Sequence, residues 1–149
     1  MTSNEITEFL ADLTKTLFAD DRRKPFKSVR TNYKEVPREP GVYALFEENN
    51  IVYIGETGSL RGRCENLCDT RNHSLRRSIG EFLFTDLAET ERATAKRKFP
   101  DALEHELADW MEKNLTISYL SVPLGRKELE EFVCLMYKVR YNSRGKRQI

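Results

Sequence analysis

Two short apolar runs, separated by four polar residues, constrain this 149-residue chain more than any other feature. Gly41-Val42-Tyr43-Ala44-Leu45-Phe46 and Ile51-Val52-Tyr53-Ile54 are rich in β-branched and aromatic side chains, which suit a pleated, half-buried surface. Glu47-Glu48-Asn49-Asn50 between them reads as a polar four-residue loop with Asn in the turn. The pattern predicts a β-hairpin. The second run ends at Gly55, and the flexible residues after it lead to Ser59, a side chain suited to cap a helix starting at Leu60.

The rest of the chain supplies helices and one more strand. Ile6, Phe9, Leu10, Leu13 and Leu17 recur at helical spacing over residues 5–18, with Ser3 or Asn4 available as cap. Residues 19–40 are polar, carry three prolines and read as an extended connection over the surface. Leu60, Cys64, Leu67 and Cys68 form one apolar stripe, and Leu75, Ile79, Phe82 and Leu83 form a second, with Asn72 or His73 near its start. A further helix is expected over residues 87–98, ending before Pro100. Another over residues 101–114 places Leu103, Leu107, Trp110 and Met111 on one face. Thr116-Ile117-Ser118-Tyr119-Leu120-Ser121-Val122 alternates like a third strand. A last helix over residues 127–137 is expected to bury Leu129, Phe132, Val133 and Met136. The expected class is α+β: a small, about three-stranded, mainly antiparallel sheet flanked by helices. Residues 1–40 are read as an N-terminal helix and connection, and residues 41–149 as the main domain.

Charge is uninformative in sum, at +1, and informative in its distribution. Residues 61–80 hold five basic against two acidic side chains, residues 81–112 nine acidic against four basic, and residues 137–149 five basic and none acidic. Basic segments that meet in space can hold a polyanion. No apolar stretch is long enough to span a bilayer, so no membrane role is expected. Glu5, Glu8 and Asp12 stand where a secretory signal needs a basic start and an apolar run, and three cysteines cannot all pair with one another. Both point to a cytoplasmic protein. Cys64, Cys68 and Cys134 lie on apolar stretches and are read as small buried hydrophobes, since no further Cys or His pair completes a zinc site.

The chemistry-bearing residues stand in a fixed order. Gly41-Val42-Tyr43 and Tyr53-Ile54-Gly55 are followed by Gly55-Glu56-Thr57-Gly58-Ser59-Leu60-Arg61-Gly62-Arg63. Downstream, Glu130 opens a helical run that ends in Tyr141-Asn142. This order resembles the GIY-YIG nuclease superfamily over residues 41–142. The resemblance implies the GIY-YIG-like fold and a divalent-metal-dependent endonuclease that hydrolyses phosphodiester bonds of DNA. It implies Glu130 as sole ligand of Mg²⁺ or Mn²⁺, Arg63 as phosphate clamp, Tyr43 and Tyr53 as base and positioning groups, and Asn142 as a scaffold. These residue types suit the reaction. A carboxylate binds a hard cation, a guanidinium forks onto phosphate oxygens, and a tyrosine serves as base only where nearby positive charge favours the phenolate.

Two departures stand out. Many family members carry a His or Tyr one helical turn after the arginine; here that position is Leu67, which can neither shuttle a proton nor donate a hydrogen bond. His73, further on, is the candidate to reach the site instead. The interval from Arg63 to Glu130 is also longer than in compact members, with a helical insertion expected around residues 81–114. Outside the motif, Arg61, Arg76, Arg77, Arg140, Arg144, Lys146 and Arg147 are candidates for nucleic-acid contact. The substrate expected is DNA, single-stranded and branched forms included, with no protein partner assigned. The competing reading is a catalytically inactive nucleic-acid-binding or protein-interaction module on the same fold, and Leu67 is the feature that favours it.

Overall fold

The structure, a computed structural model, describes residues 1–142. Four strands form one antiparallel sheet in the order β1-β4-β2-β3: β1 Lys24–Pro25, β2 Gly41–Glu47, β3 Asn50–Thr57 and β4 Leu115–Ser121. The hairpin expected from the sequence is β2–β3. Its turn is tighter than the four polar residues suggest, because Glu47 pairs with Asn50 and only Glu48 and Asn49 lie between them. Glu48 takes a positive φ of 56° to close it.

Strand β2 is central, and residues 41–46 are all buried because both sheet faces are covered. Side-chain alternation divides the core in two. Tyr43 and Leu45 face helices α2 Phe26–Thr31, α3 Leu60–Asn66, α4 Ser74–Leu83 and α5 Asp101–Asn114, packing with Phe26, Leu60, Leu67, Leu75, Ile79, Leu107 and Met111. Val42, Ala44 and Phe46 face α1 Ser3–Leu17 and α6 Arg126–Met136, packing with Leu10, Leu17, Leu129 and Val133. Truncating a fully buried Leu in such a core costs ~2–5 kcal/mol.

Several expectations are corrected. Residues 19–40 are not a surface connection: Lys24–Pro25 adds a fourth, edge strand beside β4, and Phe26, Val29 and Val36 are core residues. A helix over residues 87–98 does not form. The segment holds one short turn, Glu89–Glu91, and a two-residue bridge between Thr94 and Arg97. Arg97 donates from Nη2 to the carbonyl of Glu89 and from Nε to that of Arg92, satisfying oxygens that a helix ladder would have used. Cys68 is exposed and Cys134 half-buried, leaving Cys64 as the one buried thiol of the three. Met136 and Phe82, expected in the core, lie mostly outside it. Helix α1 is capped by Thr2, not by Ser3 or Asn4, in a reciprocal pair with Glu5.

Candidate functional site

Tyr43 sits on β2 directly opposite Gly55 of β3. A side chain at position 55 would place its Cβ 2.5 Å from the Tyr43 Cζ and Oη, so glycine is what lets the phenol ring lie across the neighbouring strand. The ring's oxygen is then delivered to α3 and α4. Arg63, in the last turn of α3, donates from Nε to Tyr43 Oη at 3.3 Å and from Nη1 to the carbonyl of Asn72 at 3.3 Å. The guanidinium also lies within interaction range of the Tyr53 hydroxyl.

His73 completes the arrangement from a different element. It is the N-cap of α4, where its Nδ1 accepts the backbone N–H of Leu75 at 3.1 Å. In a neutral imidazole the other nitrogen then carries the proton, so Nε2–H donates to Tyr43 Oη across 2.8 Å. Burial, reinforced by the cationic Arg63, Arg77 and Arg76, pushes the His73 pKa down to about 3 and keeps the ring neutral. The Tyr43 hydroxyl is held well above its ordinary range, first by burial and then by the nearby Tyr53, with the charge of Arg63 acting in the opposite direction. Tyr53 packs beside both, its ring centroid 5.9 Å from that of Tyr43 and 5.4 Å from that of His73. Leu67, at the position where the sequence lacks a polar group, is fully inside the core.

Glu130 and Asn142 meet β3 from the other side. Glu130, on α6, is only 6% exposed, and its Oε2 accepts the backbone N–H of Glu56 at 3.0 Å, one residue beyond Gly55. One turn earlier on the same helix, Arg126 pairs with the Glu56 carboxylate at 3.1 Å. The sequence reading missed this ion pair, although the four-residue interval from Arg126 to Glu130 signals a shared helix face. Asn142 uses both ends of its amide on Ile54: Oδ1 accepts the backbone N–H at 2.8 Å and Nδ2 donates to the carbonyl at 2.7 Å. With Tyr141 N–H bonded to the carbonyl of Val52, the chain after α6 satisfies the open edge of β3 as another strand would.

The donor chemistry fits a hard divalent cation. Glu130 offers carboxylate oxygen, and no cluster of three or more His, Cys, Asp or Glu side chains occurs among the described residues. A single carboxylate leaves coordination positions for water and phosphate, the manner in which Mg²⁺ is commonly bound.

The basic candidates separate. Arg76 is 4% exposed and belongs to the core. It pairs with Glu104 at 3.3 Å and donates to Thr70 Oγ1 and the Leu67 carbonyl, so its charge is not presented to a ligand. Arg61 is half-buried with Nε on the Val36 carbonyl. Arg77 commits Nη1 to the carbonyls of Thr70 and Arg71. Arg140 is exposed, 4.0 Å from Glu47 and stacked over Phe82 and Tyr141. Arg144, Lys146 and Arg147 lie outside the described residues.

A four-stranded antiparallel sheet that carries two tyrosines on one hairpin, an arginine on the next helix and a glutamate on the last defines a recognisable class. A family model described as the GIY-YIG catalytic domain matches residues 26–144, and the chain belongs to that family, within the GIY-YIG nuclease superfamily. Among curated proteins it is similar to UvrABC system protein C of Haloquadratum walsbyi, 34% identical over 68 residues, and to that of Bartonella quintana, 38% identical over 53 residues. The matches cover 46% and 34% of this chain but only 12% and 8% of those relatives. Among solved structures, the N-terminal endonuclease domain of UvrC from Thermotoga maritima bound to magnesium matches at 17% identity and a TM-score of 0.42. That match covers 78% of this chain and 97% of the other. A point mutant of the same domain, bound to its catalytic divalent cation, matches at 18% identity with the same TM-score.

Proposed function

We propose that this chain is a divalent-metal-dependent endonuclease that hydrolyses DNA phosphodiester bonds. The observation that carries the reading is the convergence of two N–H donors, Arg63 Nε and His73 Nε2, on the single phenol oxygen of Tyr43. A structural tyrosine needs one partner. Two donors, one of them cationic, offset part of the burial that otherwise disfavours negative charge on this oxygen.

Glu130 would hold a Mg²⁺ or Mn²⁺ ion, which would supply Lewis acidity for the phosphate. The chain's own side chains account for the rest. Tyr43 is a neutral phenol at rest. With added positive charge at the site to offset its burial, it would lose that proton to solvent and, as a phenolate held by Arg63 and His73, take a proton from the attacking water. Arg63 turns its guanidinium to a non-bridging phosphate oxygen and neutralises the charge that grows there. Tyr53 packs against the Tyr43 and His73 rings and fixes their orientation. Asn142 and Gly55 act on position, the first by bracing β3 and the second by making room for the phenol. His73 supplies the hydrogen-bonding group that Leu67 does not.

The test is incubation of the purified chain with plasmid and with single-stranded DNA in Mg²⁺, Mn²⁺ or EDTA. Cleavage in either metal and none in EDTA supports the reading. DNA binding without cleavage in any metal would leave a nucleic-acid-binding module, and full activity in EDTA would remove Glu130 from the mechanism.

A further inference from the structure

Helix α4 carries an apolar inner face, with Leu75 and Ile79 fully buried, and its outer face should therefore be polar. Ser74, Arg77, Ser78 and Glu81 obey that rule, but Phe82, on the same outer stripe, does not and is 56% exposed. These five residues, together with Ala93, Arg140 and Tyr141, line a cleft of about 420 Å³. That volume lies within the ~300–1,000 Å³ typical of small-ligand sites.

The cleft combines what an unpaired nucleotide requires. Phe82 gives an exposed aromatic surface, with the Tyr141 ring edge-on at 6.4 Å. Arg140 lies over Phe82 at 5.3 Å and is itself exposed. Arg77 keeps Nε and Nη2 unpartnered among the described residues. Glu81, the acidic member, is 3.5 Å from Arg92, so the cleft's charge remains positive on balance. Its wall also adjoins the site: Ser74 follows His73, and Tyr141 precedes Asn142.

We propose that this cleft is a nucleotide subsite beside the cleavage centre, in which Phe82 stacks an unpaired base while Arg77 and Arg140 take the adjoining phosphates. The inference rests on the endonuclease reading and narrows its substrate to DNA that is single-stranded, or locally unpaired, next to the scissile bond. A paired base has both faces occupied by its neighbours and cannot stack on Phe82, whereas every unpaired base can.

The test is binding in EDTA, where no cleavage interferes. The probes are a short single strand carrying one 2-aminopurine and a blunt duplex of the same sequence. The wild type should quench the 2-aminopurine and bind the single strand. Phe82→Ala should abolish the quench and weaken single-strand binding about tenfold, with duplex binding unchanged, and Phe82→Trp should restore both. Arg140→Gln should flatten the salt dependence of single-strand binding by about 0.7 in log–log slope. Equal quenching and affinity in wild type and Phe82→Ala would overturn the subsite, as would failure of the single strand to bind. Metal-dependent cleavage that persists unaltered in Phe82→Ala would then show that the endonuclease reading survives without it. Stacking on Phe82 in a protein that cuts nothing in Mg²⁺ or Mn²⁺ would support the subsite and defeat the endonuclease reading.

Discussion

His73 bonds Tyr43 Oη through Nε2 at 2.8 Å and caps helix α4 through Nδ1 at 3.1 Å, so one buried ring joins the hairpin to the following helix. Protonation would put a hydrogen on Nδ1 and turn the cap into a clash of two donors.

This makes stability depend on acid. The folded pKa of His73, about 3, lies below its ordinary value of 6.5, so the unfolded chain binds the proton more readily. The contribution is fully present above pH ~6.5 and is lost as pH falls towards ~3, at a slope approaching ~1.4 kcal/mol per pH unit. Urea unfolding at a series of pH values from 7.5 to 4.5, order-of-magnitude steps in proton activity, should show this loss. His73→Gln should flatten the slope by about one proton. An unchanged slope would mean that the ring is already solvated.

Tyr43→Phe removes the oxygen on which Arg63 and His73 converge. Two donors then lose their acceptor in a largely buried setting, at a cost of ~1–3 kcal/mol. Thermal unfolding should register that loss, and metal-dependent cleavage should fall to background. A Phe variant that cleaves at the wild-type rate would remove Tyr43 from the chemistry.

Arg63→Lys retains the charge and loses the fork that spans Tyr43 and Asn72 and that the proposed mechanism turns to a phosphate. Single-turnover cleavage should slow by about 100-fold or more. Unchanged kcat would assign Arg63 to structure alone.

Gly55→Ala tests how the sheet positions the phenol. Its Cβ would meet Tyr43 Cζ and Oη at 2.5 Å, so the ring must move or the strands must part. The expected cost is ~1–3 kcal/mol, together with a cleavage loss larger than that destabilisation explains. Activity equal to wild type would show that the placement of Tyr43 is not critical.

Local pattern makes the hairpin, the Ser59 cap and the last helix legible in the sequence, because each depends on neighbours within a few residues, while the order Tyr43, Tyr53, Arg63, Glu130, Asn142 is legible through its resemblance to the family. What escaped depends on distant partners. Lys24 and Pro25 are a strand only because β4 lies beside them, and a two-residue run with proline has no strand signature of its own. Residues 87–98 favour a helix by composition, yet Phe84 packs edge-on against Phe99 and the Arg97 side chain takes the carbonyls of Glu89 and Arg92, so tertiary contacts override propensity. Arg76 counts as basic in the sequence, but Glu104, 28 positions away, turns it inward. His73 is legible in the sequence only as a candidate; its contact with Tyr43 depends on where α4 places it.

The most direct test of the account is Glu130→Gln. Glutamine keeps an oxygen to accept the Glu56 N–H and keeps the side-chain volume, while the charge that would hold a cation is lost. Cleavage of plasmid and single-stranded DNA in Mg²⁺ should be abolished in this variant, with thermal stability and DNA affinity in EDTA close to wild type. A Glu130→Gln protein that cuts DNA in Mg²⁺ at the wild-type rate would contradict the account.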